Sequence, residues 1–205
     1  MTEKEINLFK DVLKKLNQGN SLKDVYDYED EKILKKLGLI SNKPYIIVSN
    51  IDESNVKKGN NYTKILKEKY PEQKHLIICA DIEDQISDLN IEEKGAYMEN
   101  IGLEKTGLDQ LIITGYDLLD LNTFFTSGPK ESRAWTIKKN TSAQIAAGVI
   151  HSDFQKNFIR AEAVSFKDFE KFGSAEKAKE NGKLRVEGKD YVVKDGDVLF
   201  FRVNP

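Results

Sequence analysis

Apolar positions in the first forty residues recur at helical spacing, and from Lys43 onward they gather into short continuous runs. Ile6, Phe9, Leu13 and Leu16 follow at intervals of three, four and three, which puts them on one helical face. Thr2 with Glu5 three positions later is a capping box that predicts the start of this helix. Asn17-Gln18-Gly19-Asn20 ends it. Asp27 predicts the cap of a second helix through Ile33, Leu34 and Leu37, with Gly38 as its stop. The stripe on the first helix is long for a segment with so little nearby to cover it. It packs either on the rest of the chain or on a partner, and self-association through Ile6, Phe9, Leu13 and Leu16 is one expectation.

Behind Pro44, Tyr45-Ile46-Ile47-Val48 is one continuous apolar run, and Leu76-Ile77-Ile78-Cys79-Ala80 is a second. Continuity predicts strands buried on both faces. Tyr62 to Tyr70 reads as a helix ended by Pro71, so the segment predicts a βαβ unit with parallel strands and a right-handed crossover. Two strands alone do not make a stable parallel sheet, so this part of the architecture looks incomplete. One helix is predicted over roughly Asp81 to Ile101, and another from Thr106 through Leu108, Leu111, Ile112 and Leu119. The pattern then turns β-rich, with strands at Thr123–Thr126, Arg133–Ile137, Phe158–Val164 and Tyr191–Val193. Lys194-Asp195-Gly196-Asp197 predicts a hairpin turn before a strand at Val198–Phe201. A small-residue helix, Ser142 to Ile150, lies among these strands, which suggests a compact α+β module of the β-grasp type.

Composition narrows the classes. The chain has 205 residues, 39% hydrophobic and 32% charged, as expected of a globular protein with one large domain or two small ones. No run of about 18 apolar residues is present, which excludes a membrane-spanning helix from the sequence pattern. The segment MTEKEINLFK has no signal-peptide core, so a cytoplasmic address is expected. One cysteine, Cys79, and two histidines, His75 and His151, leave little material for disulfides or a zinc site. The net charge of −2 is unevenly distributed. Residues 1–120 carry 17 Lys+Arg against 23 Asp+Glu, and residues 121–205 carry 15 against 11. The basic C-terminal part hints at a polyanion-facing surface.

Candidate chemistry is sparse. Nothing matches G-x-x-x-x-G-K-[ST], and no G-x-G-x-x-G follows a strand, so the sequence shows no recognisable phosphate cradle. Open α/β sheets bind ligands beyond the carboxyl ends of their strands, which is where Asn50, Ile51 and Glu53 fall. An N-x-x-D element there grips guanine through a bidentate carboxylate. Glu53, one methylene longer, should spoil that grip, while the Asn50 amide, both donor and acceptor, could still read the edge of adenine. The same string also reads as turn chemistry. Ala80-Asp81-Ile82-Glu83 follows the second strand where a loop would close over the base. His75 and Cys79 would stand about 13 Å apart on an extended strand, too far for a nucleophile and its base. His151-Ser152-Asp153 reads as a cap or turn. Lys130, Arg133, Lys138, Lys139 and Arg160 flank Phe125, Trp135 and Phe158, and such interleaving could contact RNA phosphates and bases. Core aromatics with solvated lysines would look the same.

The string Phe125-Thr126-Ser127-Gly128-Pro129-Lys130-Glu131-Ser132-Arg133-Ala134-Trp135-Thr136-Ile137 resembles the YchF/Obg-like ATPases, a branch of the P-loop GTPase superfamily. So do Ala146-Ala147-Gly148-Val149-Ile150-His151-Ser152-Asp153-Phe154, Phe158-Ile159-Arg160-Ala161-Glu162 and Gly188-Lys189-Asp190-Tyr191-Val192-Val193 with Asp195-Gly196-Asp197. Gly102-Leu103-Glu104 and Gly107-Leu108-Asp109 are similar to the family linker, and Asn50-Ile51-Asp52-Glu53 looks like its altered N-x-x-E specificity motif. The resemblance implies an α/β plus α+β chain in three parts. Residues 1–40 would be the second half of a helical, coiled-coil insertion. Residues 41–120 would be a truncated P-loop G-domain remnant, a βαβ unit with linker helices. Residues 121–205 would be a β-grasp TGS domain.

The resemblance also implies ATP, or GTP, with Mg²⁺ as the ligand of a full-length member. Asn50, Ile51, Glu53 and Ala80 would lie at the base. The ribosome or RNA would be contacted through the TGS and helical parts. The P-loop, switch regions and Mg²⁺ site expected of such a member are not in this sequence, so the chain alone is expected to be inactive in hydrolysis. The alternative is a stand-alone, non-enzymatic TGS module that binds RNA, ribosome or protein.

Overall fold

The computed structural model describes residues 2–20, 22, 27–40, 43–128 and 130–204, without the side chains of residues 28 and 31. Pro129, part of the string that carries the resemblance, lies outside the described residues. The chain divides into two compact units, Met1–Ile78 and Cys79–Pro205. No described helix is long and apolar enough to cross a membrane.

In the first unit, α1 (Glu3–Asn17) starts at the predicted capping box: Glu5 N–H donates to Thr2 Oγ1 at 3.3 Å and Thr2 N–H to Glu5 Oε2 at 2.7 Å. The second helix, α2 (Tyr28–Leu37), is capped by Asp27, whose carboxylate accepts from Asp30 N–H at 2.9 Å, and it stops at left-handed Gly38. The face of α1 that packs is not centred where the spacing put it. Leu8 and Val12 are buried together with Leu22 and Leu34, with Phe9 and Leu16 alongside, whereas Leu13 is 60% exposed. Leu8, Val12 and Leu16 recur every four residues, and that row meets α2. Lys4 Nζ reinforces the pair at 3.1 Å from Asp30.

The same unit holds β1 (Ile46–Asn50), α3 (Asn61–Lys69) and β2 (Lys74–Ile78), with the two strands parallel and Asn50 opposite Ile78. These strands were expected to be buried on both faces. Instead their residues are at best half-buried, and Val48 is 40% exposed, because this sheet has only two strands and neither face is fully covered. Asn60 caps α3 by accepting from Thr63 N–H at 3.1 Å, and Thr63 Oγ1 returns the bond by accepting from Asn60 N–H.

The second unit begins with α4 (Ala80–Ser87), α5 (Ile91–Ile101) and α6 (Gly107–Leu118). The single helix expected over Asp81–Ile101 is therefore two. Asn90 breaks it by capping α5, accepting from Glu93 N–H at 3.0 Å, while the Glu93 carboxylate accepts from Asn90 N–H. A five-stranded sheet follows, in the order β4 (Ser132–Lys138), β3 (Leu121–Ser127), β7 (Asp197–Val203), β5 (Phe158–Ser165) and β6 (Arg185–Glu187). Only the β3–β7 pairing is parallel. Helix α7 (Ala143–Ile150) contributes Ala143 and Ala146 to a core with Phe124, Ile137, Ala161, Ala163, Val193 and Leu199. Alanines at these contacts let the helix approach the sheet closely. Three short helices, α8 (Ser152–Lys156), α9 (Phe166–Phe172) and α10 (Ala175–Glu180), and strand β6 were not read from the pattern.

Tyr191–Val193, expected as a strand, makes only an isolated bridge between Val192 and Ser142. Nor is Lys194–Asp197 a hairpin turn, because β7 pairs with β3 and β5 rather than with the segment before it. Tertiary bonds hold this loop. Asp197 is 2% exposed and accepts from Arg185 Nη2 at 3.0 Å, Tyr191 Oη at 2.7 Å and Lys194 N–H at 3.0 Å. Asp195 accepts from Thr123 N–H at 2.8 Å.

Candidate functional site

Asn50 is the last residue of β1, at the carboxyl ends of both parallel strands. The ladder continues one step further, with Ile51 N–H donating to Ile78 C=O at 2.9 Å. The chain then turns through a short 3₁₀ segment, Glu53–Asn55, and reaches Gly59 at φ +72°. A Cβ at Gly59 would collide with Thr63 Oγ1 and press on Ile77, so this loop needs glycine to return to α3. Asn50 and Glu53 are exposed and Ile51 is half-buried. An exposed amide at a strand's carboxyl end has the chemistry to read a purine edge, being donor and acceptor at once. Ala80 lies in the second unit, where it opens α4.

In the second unit, Glu83 of the Ala80–Glu83 stretch has a structural role. Glu83 accepts from Gly107 N–H at 2.6 Å and from Leu108 N–H at 3.2 Å, so it caps the N-terminus of α6. A carboxylate there also meets the positive end of the helix dipole. Its distance in sequence from α6 hid this role. Cys79 is buried, and His75 Nε2 lies 2.9 Å from Tyr70 C=O. His151 Nδ1 accepts from Asp153 N–H at 3.2 Å and caps α8, the cap role its sequence suggested. Among the described residues, no three His, Cys, Asp or Glu side chains converge in a way that could hold a metal ion.

The five cations proposed for RNA do not form one patch. Lys138 Nζ donates to Leu119 C=O at 2.7 Å, and Lys139 Nζ to Asp117 at 2.8 Å, so both are turned to the C-terminal end of α6. A cation favours that end because the helix carbonyls are unsatisfied there. Arg160 lies 3.6 Å from Glu162, a carboxylate held by Arg202 at 2.9 Å; those guanidiniums keep the Glu162 carboxyl below its usual range, Arg202 first. Lys130 and Arg133 sit at the opposite end of the β3–β4 hairpin from Lys138, about 17 Å away for five residues of strand.

At that end, strand register builds an aromatic stack. Phe124 pairs with Trp135 and Thr126 with Arg133, all on one face of the hairpin. The rings of Phe124 and Trp135 are nearly parallel, with centroids 6.5 Å apart. Trp135 Nε1 donates to Thr126 Oγ1 at 2.9 Å, and the Arg133 guanidinium lies over the indole at 4.4 Å. Alternation along the two strands was the available signal, and it needed the hairpin register to be used.

A family model described as "YchF-GTPase_C: Protein of unknown function (DUF933)" matches residues 121–204. The ribosome-binding ATPase YchF of Bacillus subtilis is 47% identical over 86% of this chain and 49% of its own length. The protein of the same name from Haemophilus influenzae is 39% identical over 98% of this chain and 56% of its own. The solved structure of the Schizosaccharomyces pombe YchF GTPase aligns with a TM-score of 0.79 at 28% identity, covering 98% of this chain and 55% of that one. This chain thus spans about half the length of the curated relatives it matches, and it belongs to the YchF/Obg-like ATPase family.

Proposed function

We propose that this chain is the base-reading and ribosome-docking portion of a YchF-type ATPase that works in the cytoplasm. The observation that carries the reading is Asn50 with Glu53 three positions on, at the carboxyl end of a parallel strand in a chain of this family. Asn50 reads an adenine edge, Ile51 lies beside the base, and Glu53 disfavours guanine because its longer carboxylate cannot form the bidentate pair. The triphosphate and Mg²⁺ are held by groups outside this chain, which has no G-x-x-x-x-G-K-[ST] motif. The chain alone therefore does not hydrolyse ATP.

The second unit supplies the docking surface. The sheet order β4-β3-β7-β5-β6, antiparallel except at β3–β7, with α7 packed on it, supports reading residues 121–205 as a β-grasp domain of the TGS type. Two relatives named as ribosome-binding ATPases support the ribosome as the partner.

Calorimetric titration of the purified chain with adenosine, ATP and GTP tests the base site. With the phosphates unread, adenosine and ATP should bind with similar weak affinity and GTP more weakly, and Asn50→Ala should abolish the heat. GTP binding as tightly as ATP, binding unchanged in Asn50→Ala, no binding of any nucleotide, or Mg²⁺-dependent turnover by the chain alone would contradict the reading.

A further inference from the structure

Three of the five candidate cations are already occupied: Lys138 by the end of α6, Lys139 by Asp117 and Arg160 by Glu162. Among the described residues, neither Lys130 nor Arg133 has a carboxylate partner. Arg133 is exposed on β4, one of the two edge strands of the five-stranded sheet. Its guanidinium is held over Trp135, which is fixed in turn by Thr126 at its nitrogen and by fully buried Phe124 across the strand. Lys130 stands in the short loop that closes the same hairpin, where Gly128 N–H donates to Glu131 C=O at 2.9 Å. An ordinary surface arginine loses side-chain entropy when it binds. This one is ordered beforehand, and its outward N–H donors remain available.

We propose that the Arg133–Trp135 pair, with Lys130, is a stacking platform for one unpaired nucleotide of RNA. The base stacks on the guanidinium–indole pair, and the adjoining phosphate takes the outer Arg133 N–H groups and the Lys130 ammonium. Single-stranded RNA fits better than duplex because only unpaired bases present a face for stacking. It fits better than an acidic peptide because a carboxylate would use the charge and leave the planar surface unused. The proposal rests on the reading of the second unit as the docking surface, and gives that surface its point of contact.

Trp135 is the only tryptophan in the chain, so intrinsic fluorescence reports on the platform directly. The probes are a ten-nucleotide single-stranded oligoadenylate RNA, a duplex RNA of the same length and polyglutamate. The single strand should quench Trp135 at low salt, and binding should weaken as salt rises. Arg133→Ala should weaken binding about tenfold, the effect expected of one lost stacking contact. Arg133→Lys, which keeps the charge but not the plane, should recover little of it, while Lys130→Ala should lower affinity and the salt dependence together.

Unchanged affinity in Arg133→Ala, equal binding of duplex or polyglutamate, or no RNA binding at low salt would overturn the proposal. Circular dichroism of each variant confirms that the module is folded. If the chain co-sediments with ribosomes but Arg133→Ala leaves RNA binding intact, the platform is wrong and the docking reading stands. If the oligonucleotide binds through Arg133 but ribosomes do not capture the chain, the docking reading is wrong and the platform stands.

Discussion

Phe124→Ala should destabilise the second unit by about 4 kcal/mol, read as a lower midpoint in urea unfolding. Phe124 is completely buried, on an interior strand of the sheet. It stacks on Trp135 with centroids 6.5 Å apart and meets Phe201 edge-on at 6.0 Å. Truncation loses the transfer free energy of the ring and leaves a cavity lined by neighbours that strand register holds in place. Because Phe124 also supports Trp135, the fluorescence of Trp135 should shift toward that of a hydrated indole even where the variant remains folded. Phe124→Leu, which keeps most of the volume, should cost about 1 kcal/mol. A loss below about 1 kcal/mol in Phe124→Ala would mean that this ring does not organise the core.

The second large effect is expected at Asp197. Its carboxylate is buried at the start of β7 and accepts three hydrogen bonds, from Arg185, Tyr191 and Lys194. Asp197→Ala leaves a half-buried guanidinium, a phenol and a backbone N–H without their acceptor, which should cost about 3 kcal/mol. Asp197→Asn retains one acceptor oxygen and should lose less. The same cluster predicts a dependence on pH. Burial, and then the bond to Asp197, push the Tyr191 phenol from its ordinary 10.0 up to about 12. The native state holds that proton more tightly than the unfolded chain, so the contribution is fully present below pH 10. It is lost as pH rises through about 12. Unfolding midpoints measured from pH 9 to pH 12 should fall over this window, and less steeply in Tyr191→Phe. An equal fall in both would show that other groups set the alkaline limit.

Much of this fold is legible locally. Capping residues mark helix starts without reference to the rest of the chain, so Thr2, Asp27 and Thr106 each begin the helix they predict. The two continuous apolar runs pair in parallel across α3, as the strand–helix–strand order requires. What escaped depends on partners distant in sequence. Two apolar rows run along α1, and only the position of α2 selects Leu8 and Val12 over Ile6 and Leu13. The Asn90-x-x-Glu93 cap was written in the sequence but was masked by helical periodicity on both sides of it.

The candidate sites divide in the same way. Asn50 falls at the strand end where the pattern put it, because strand ends are local features. Lys138 and Lys139 read as free basic groups, yet Leu121 pairs with Lys138 in the β3–β4 register, which brings both lysines to the end of α6. The DGD string at Asp195–Asp197 looked like a hairpin turn. Its carboxylates are acceptors for Thr123, Arg185 and Tyr191, residues as far as 72 positions away.

The proposed docking of the second unit on the ribosome is tested most directly by co-sedimentation of the purified full chain with ribosomes over a salt series. The chain should pellet with ribosomes at low salt and be released as salt rises. Arg133→Ala should be released at lower salt, while Asn50→Ala should pellet as well as the unaltered chain, because Asn50 and Arg133 lie in different units. A chain that stays in the supernatant at every salt concentration would contradict the account, as would loss of pelleting in Asn50→Ala.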